Sequence, residues 1–150
     1  MKKRYMFVPA LFLFVIAGVV VFTISSKQTT FNKVISDQLN LNQISTIEIL
    51  KSIDDPLEEK IVVTDLAQIE RIMNVFSNTK LIKEHFSTIN INETYWITIK
   101  TNENRQFGLT LYDYHYLNVF NYNASKDAAN SYKITNELDA SVIRDLFGKV

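Results

Sequence analysis

The chain has no cysteine, only three glycines and two prolines in 150 residues, and no excess of charge of either sign. Each scarcity removes a class of protein. Without cysteine there are no disulfides, no thiolate metal sites, no cysteine nucleophile and no cysteine-linked lipid anchor. So little glycine and proline argues against disorder or low complexity. It also leaves no glycine-rich loop to cradle a phosphate, and no serine sits in a nucleophile elbow.

What the chain does have is one long apolar run. Met6–Ile24 reads MFVPALFLFVIAGVVVFTI, without a charge, and follows Lys2, Lys3 and Arg4. As a helix such a run is about 28 Å long, close to the roughly 30 Å hydrocarbon thickness of a bilayer. Pro9 falls in its first turn, where a missing N–H costs little. Signal peptides have shorter apolar cores, of about 7–15 residues, and end in an A-x-A-like site. The expectation is an uncleaved single span, residues 6–24, behind a cytoplasmic tail of residues 1–5. Basic flanks stay on the cytoplasmic side, which puts the rest of the chain outside the membrane.

Beyond Ser25 lie 125 residues, enough for one domain with its own core. Three of the sixteen basic residues precede the run, so thirteen remain against sixteen acidic ones. That slight negative balance gives no footing for nucleic acid.

Residues 25–43 read as a polar linker, in which Phe31, Val34, Ile35 and Leu39 have the spacing of a short amphipathic spacer helix. The domain is expected over residues 44–150. Ile44–Leu50 and Lys60–Thr64 are β-rich and flank the Asp54-Asp55-Pro56 turn, so they read as a hairpin. Asp65 then caps a helix whose Leu66, Ile69, Ile72, Met73 and Phe76 share one face, with Gln68 placed to complete a capping box. Lys80–Phe86 is a weaker strand. Glu93–Thr101, Gln106–Tyr112 and His115–Tyr122 alternate with period two around short polar turns, which makes a meander. A short strand at Ser131–Ile134 leads to a closing helix capped by Thr135 or Asn136, carrying Leu138, Val142, Ile143, Leu146 and Phe147, and ended by Gly148. Two strands and a helix, then a meander, then a helix describe an α+β domain with a mainly antiparallel sheet and two helices on one side.

Chemistry-bearing clusters are few. His85 and His115 lie far apart with no acidic residue at a ligand spacing, so no metal site is expected. Asp54, Asp55, Glu58 and Glu59 lack the glycine and spacing of an EF-hand and read as a solvated turn. No cofactor is expected.

If Ile97, Ile99, Leu109, Leu111, Leu117 and Val119 face the core, then Trp96, Tyr112, Tyr116 and Phe120 share the opposite face. Aromatic residues on an open face mark a binding surface, and under a covering element they mark packing. A third role is shielding of the strand glycine, with Trp96 and Tyr112 over Gly108.

The basic start and span, the Ile47-Glu48-Ile49 opening, the Tyr95-Trp96-Ile97-Thr98-Ile99 strand and the Tyr132-Lys133-Ile134 ending before a last helix give a layout. It resembles small membrane-anchored extracytoplasmic α+β proteins of Gram-positive bacilli. The resemblance is one of layout and carries over no catalytic residue.

The leading expectation is a single-pass domain at the outer face of the cell membrane that binds a protein, peptide or envelope component and is not an enzyme. One alternative is an envelope-acting enzyme using the 87–92 and 121–131 loops around His115 or Asp113. The other is an accessory subunit that docks on a membrane complex through its span.

Overall fold

The computed structural model describes residues 13–14, 16, 27–52, 59–86 and 90–148. The Met6–Ile24 run lies outside them apart from Leu13, Phe14 and Ile16, as do the Asp54-Asp55-Pro56 turn and residues 87–89. Among the described residues no helix is long and apolar enough to cross a membrane.

The fold is α+β. Eight strands form one antiparallel sheet: β1 (Gln28–Thr30), β2 (Thr46–Ser52), β3 (Glu59–Val63), β4 (Lys80–Lys83), β5 (Thr94–Thr101), β6 (Asn104–Tyr112), β7 (Tyr116–Asn121) and β8 (Ala129–Ile134). Three helices join them: α1 (Phe31–Val34), α2 (Leu66–Ser77) and α3 (Ser141–Phe147). The spatial order is β1-β4-β8-β7-β6-β5-β2-β3. The β5–β8 meander is the centre, the β2–β3 hairpin adds to one side and β4 to the other. Helix α2 carries the chain from the β3 edge across to β4.

Period-two alternation makes the sheet two-faced. Ile97 pairs with Leu109, which pairs with Val119, and all three are buried. This face merges with Ile69, Ile72, Met73 and Phe76 of α2, Ile143 of α3 and Phe31 of α1 in one apolar cluster. Helix α2 starts as the sequence predicts, with the Asp65 carboxylate accepting from the Gln68 N–H at 2.9 Å. Among the described residues, helices α1, α2 and α3 all pack on this one face.

Three expectations need correction. First, residues expected to be linker are part of the domain. Strand β1 pairs with β4, the Phe31 N–H bonds the Thr79 carbonyl at 3.0 Å, and the Phe31 ring stacks on Phe76 with centroids 5.0 Å apart. Phe31 and Ile35 are fully buried. The apolar spacing that suggested a spacer helix is met by one helical turn followed by two 3-10 turns, at Ser36–Gln38 and Leu41–Gln43, not by one continuous helix.

Second, among the described residues the domain includes α1, so its helices number three and not two. Third, the closing helix begins at Ser141, not after Thr135 or Asn136. The Asn136 side chain is committed elsewhere: its Oδ1 accepts from the Lys80 N–H at 2.7 Å and its Nδ2 donates to the Asn78 carbonyl at 3.0 Å. Gly148 follows the helix at φ −91°, so it is not in the left-handed region.

The meander turns are tight. Asn102 and Glu103 both have positive φ, as the mirror-image hairpin turn requires. Asp113 and Tyr114 do the same at the next corner, closed by His115 N–H to the Tyr112 carbonyl at 3.0 Å. A bulge interrupts β6: Ile99 pairs with Phe107 but Lys100 pairs with Arg105, leaving Gln106 extra.

Candidate functional site

The face away from the helices carries the predicted aromatic residues. Register puts Trp96 opposite Thr110, Thr110 opposite Asn118 and Asn118 opposite Ser131. In the adjoining row Thr98 faces Gly108, Gly108 faces Phe120 and Phe120 faces Ala129. Tyr112 and Tyr116 are paired at the corner end of the same face.

The four predicted residues do not form one patch. Tyr112 and Tyr116 are both packed against Phe86, with ring centroids 5.8 and 4.9 Å away. Trp96 and Phe120 are 39% and 42% exposed and belong to a second group with Tyr122. Tyr122 meets Phe120 edge-on, with centroids 4.8 Å apart, and is 42% exposed.

Tyr122, which alternation alone did not single out, is the added member. It lies one residue past β7, where its N–H bonds the carbonyl of the bulged Gln106 at 3.0 Å. That bond sets its ring over Gly108: a Cβ built there would meet Tyr122 at 3.4 Å and Phe120 at 3.8 Å. The residues over Gly108 are therefore Tyr122 and Phe120, and not Trp96 and Tyr112, the pair considered for that role from the sequence. The guanidinium of Arg105 lies 5.9 Å from the outer Tyr122 ring.

Between these rings is a shallow hollow of about 340 Å³. Its floor includes Gly108 with the hydroxyl residues Thr98, Thr110 and Ser131, and Trp96, Phe120 and Tyr122 rise around it. No charged side chain lines it among the described residues. Asn118 also borders it and donates to the Tyr112 hydroxyl at 3.3 Å, while its Oδ1 is buried without a donor. To the side of it, Glu48 holds Lys100 at 2.7 Å and Lys60 at 3.6 Å. The Lys100 hydrogen bond outweighs a small burial effect and keeps the Glu48 carboxyl below its ordinary range.

The polar residues named for an enzyme are differently placed. Both oxygens of Asp113 accept from the Asn92 N–H at 3.1 Å, and one accepts from the Glu93 N–H at 2.9 Å. His115 Nδ1 is bonded to the Asp113 carbonyl. Asp113 thus ties the β6–β7 corner to the approach to β5, and His115 braces the corner itself. Both histidines are exposed, and among the described residues no three potential ligands gather as a metal cluster.

A denser polar cluster lies just inside that corner. Glu93 accepts from Tyr95 at 2.7 Å and from Tyr114, and Lys51 stands 3.0 Å away. Burial pushes the Glu93 carboxyl up, but the two hydroxyls and the lysine outweigh it and leave it below its ordinary value. Burial, then the bond to Glu93, raises the Tyr114 hydroxyl to about 12, and Tyr95 is raised for the same reasons. Lys51 also lies 5.6 Å from the centroids of both Tyr95 and Phe147, and Arg144 lies 5.7 Å from that of Tyr114. The cluster therefore binds α3 to the sheet. Its acid is held ionised and its phenols neutral, which suits a structural tie better than proton transfer at neutral pH.

Comparison of the chain with protein-family models, curated proteins and solved structures finds no match.

Proposed function

We propose that this protein is a membrane-tethered extracytoplasmic domain that binds a protein, peptide or envelope component through the bare face of its sheet. The tether is the Met6–Ile24 run, whose length and basic flank support a single span with the domain outside. The layout it shares with anchored extracytoplasmic proteins of Gram-positive bacilli agrees with this. The observation that carries the reading is the asymmetry of the sheet. Among the described residues the three helices α1–α3 pack on one face, and the other shows Trp96, Phe120 and Tyr122 around a hollow. Aromatic residues at the rim of a concave site are the usual anchors of recognition. No observation favours the enzyme reading, since Asp113 and His115 serve the corner.

A photo-crosslinking phenylalanine at position 122, installed in the full chain in cells, tests the site. The expected result is an adduct that disappears with Trp96→Ala and is not seen when the crosslinker sits at position 70 on the solvent side of α2. The same adducts from both positions would refute the assignment.

A further inference from the structure

We infer that the hollow between Trp96, Phe120 and Tyr122 is a saccharide subsite that takes an uncharged pyranose ring. This rests on the reading of the bare face as the binding face and names the chemistry of its ligand.

The walls come first. Trp96 is on β5 and Phe120 on β7, with β6 between them. Two interstrand steps and a two-residue offset along the strands separate their backbones by about 12 Å. Between them the Tyr122 ring covers the bare backbone of Gly108, so a flat ligand ring packs on the aromatic faces above the hydroxyl floor and not on the sheet at Gly108. The C–H face of a pyranose is apolar and packs on an aromatic π-face, and the half-exposed rings supply such faces.

The floor narrows the class. Thr98, Thr110 and Ser131 bring three hydroxyls to one small hollow, each able to donate and accept. Sugar hydroxyls have the same dual capacity. A lipid chain would bury those hydroxyls without partners, at a cost in affinity. A phosphate or other anion would find no cation within the hollow, because no charged side chain lines it among the described residues and the nearby guanidinium of Arg105 engages the Tyr122 ring. A peptide strand needs free backbone groups, and the hollow lies mid-sheet, where β5, β6, β7 and β8 use theirs on one another. A volume of about 340 Å³ is at the small end for ligand sites and suits one or two sugar rings.

Trp96 is the single tryptophan of the chain, so its emission reports this site alone. The full chain, kept in a zwitterionic detergent that contains no sugar, is titrated with maltose, with N,N′-diacetylchitobiose and with glucuronate at pH 7. The expected result is a saturable emission change with at least one neutral disaccharide at millimolar concentration and none with glucuronate. Thr110→Val removes a hydroxyl but keeps the shape and strand preference, and should weaken binding at least fivefold. Phe120→Ala should weaken it at least tenfold. Melting curves of both variants show whether the sheet is kept.

Silence with both neutral disaccharides, or unchanged affinity in both variants, would overturn the sugar assignment, and an equal response to glucuronate would overturn its restriction to uncharged rings. If the position-122 adduct still forms in cells while the titration is silent, the face reading stands and only the ligand class falls. Loss of that adduct would instead remove the face itself.

Discussion

The two faces of one sheet are built from the same strands and differ in what covers them. On β5, Ile97 and Ile99 disappear under the helices while Trp96, one position away, stays 39% exposed. On β7, Val119 is buried and Phe120 is 42% exposed. Large side chains on the covered face are held by packing and contribute to stability. Those on the bare face pack mainly on each other, so their mutation should alter recognition more than folding. Identity of side chain says little here, since both faces carry aromatic residues; cover decides.

The largest effect expected from breaking this contrast is at Phe31. It is fully buried against Phe76, so Phe31→Ala should cost about 3–5 kcal/mol, read as a lower urea midpoint. If residues 28–39 were a spacer outside the domain, the midpoint would not move.

Next is the polar tie at the corner. Tyr114→Phe removes a hydroxyl from Glu93 and should cost about 1–3 kcal/mol at pH 7. Glu93 titrates lower in the fold than in the unfolded chain, so its contribution is in place above about pH 4.3 and is lost as pH falls through the folded value. The gap between wild type and Tyr114→Phe should therefore narrow on acidification to pH 3. Tyr114 is shifted the other way, to about 12, so its own contribution holds below about pH 10 and is lost as pH rises through the folded value. A gap that stays constant across the acid range in denaturation curves would show that Glu93 is not the partner that matters.

Asp65→Ala tests the α2 cap on the covered face and should cost about 1 kcal/mol in thermal unfolding. Smallest are Trp96→Ala and Phe120→Ala, each expected to shift stability by less than about 1 kcal/mol because the side chains are already half in water. A loss at either site as large as that at Phe31 would mean the bare face is in fact packed, and the comparison would fail.

Much of the fold was legible because the core signals are local. Alternation in Glu93–Tyr122 and the capped apolar face of Leu66–Phe76 each sit within one element, so they need no knowledge of the rest. The errors share a cause too. Phe31, Ile35 and Leu39 have helical spacing, but all three join the domain core, and Phe31 does so against Phe76, more than forty residues away in sequence. Asn136 looks like a helix cap, yet its amide meets Asn78 and Lys80 across the sheet. The corner turns were hard to specify because Glu103 and Tyr114 occupy positive φ where glycine is the usual signal.

The candidate site was half legible. Alternation placed Trp96, Tyr112, Tyr116 and Phe120 on one face, but not which of them share a patch. That depended on Phe86 packing over the two tyrosines and on the Gln106 bulge turning Tyr122 over Gly108.

The sequence by itself determined the apolar run with its basic start, the strands from Thr46 onward and the principal helix, and the two-faced character of the meander, because hydrophobic periodicity is a property of neighbours along the chain. Tertiary structure alone decided that the supposed linker completes the sheet, that the helices gather on one face, and that Trp96, Phe120 and Tyr122 enclose a hollow. Those outcomes depend on which distant segments exclude water from one another, and no local pattern encodes that pairing.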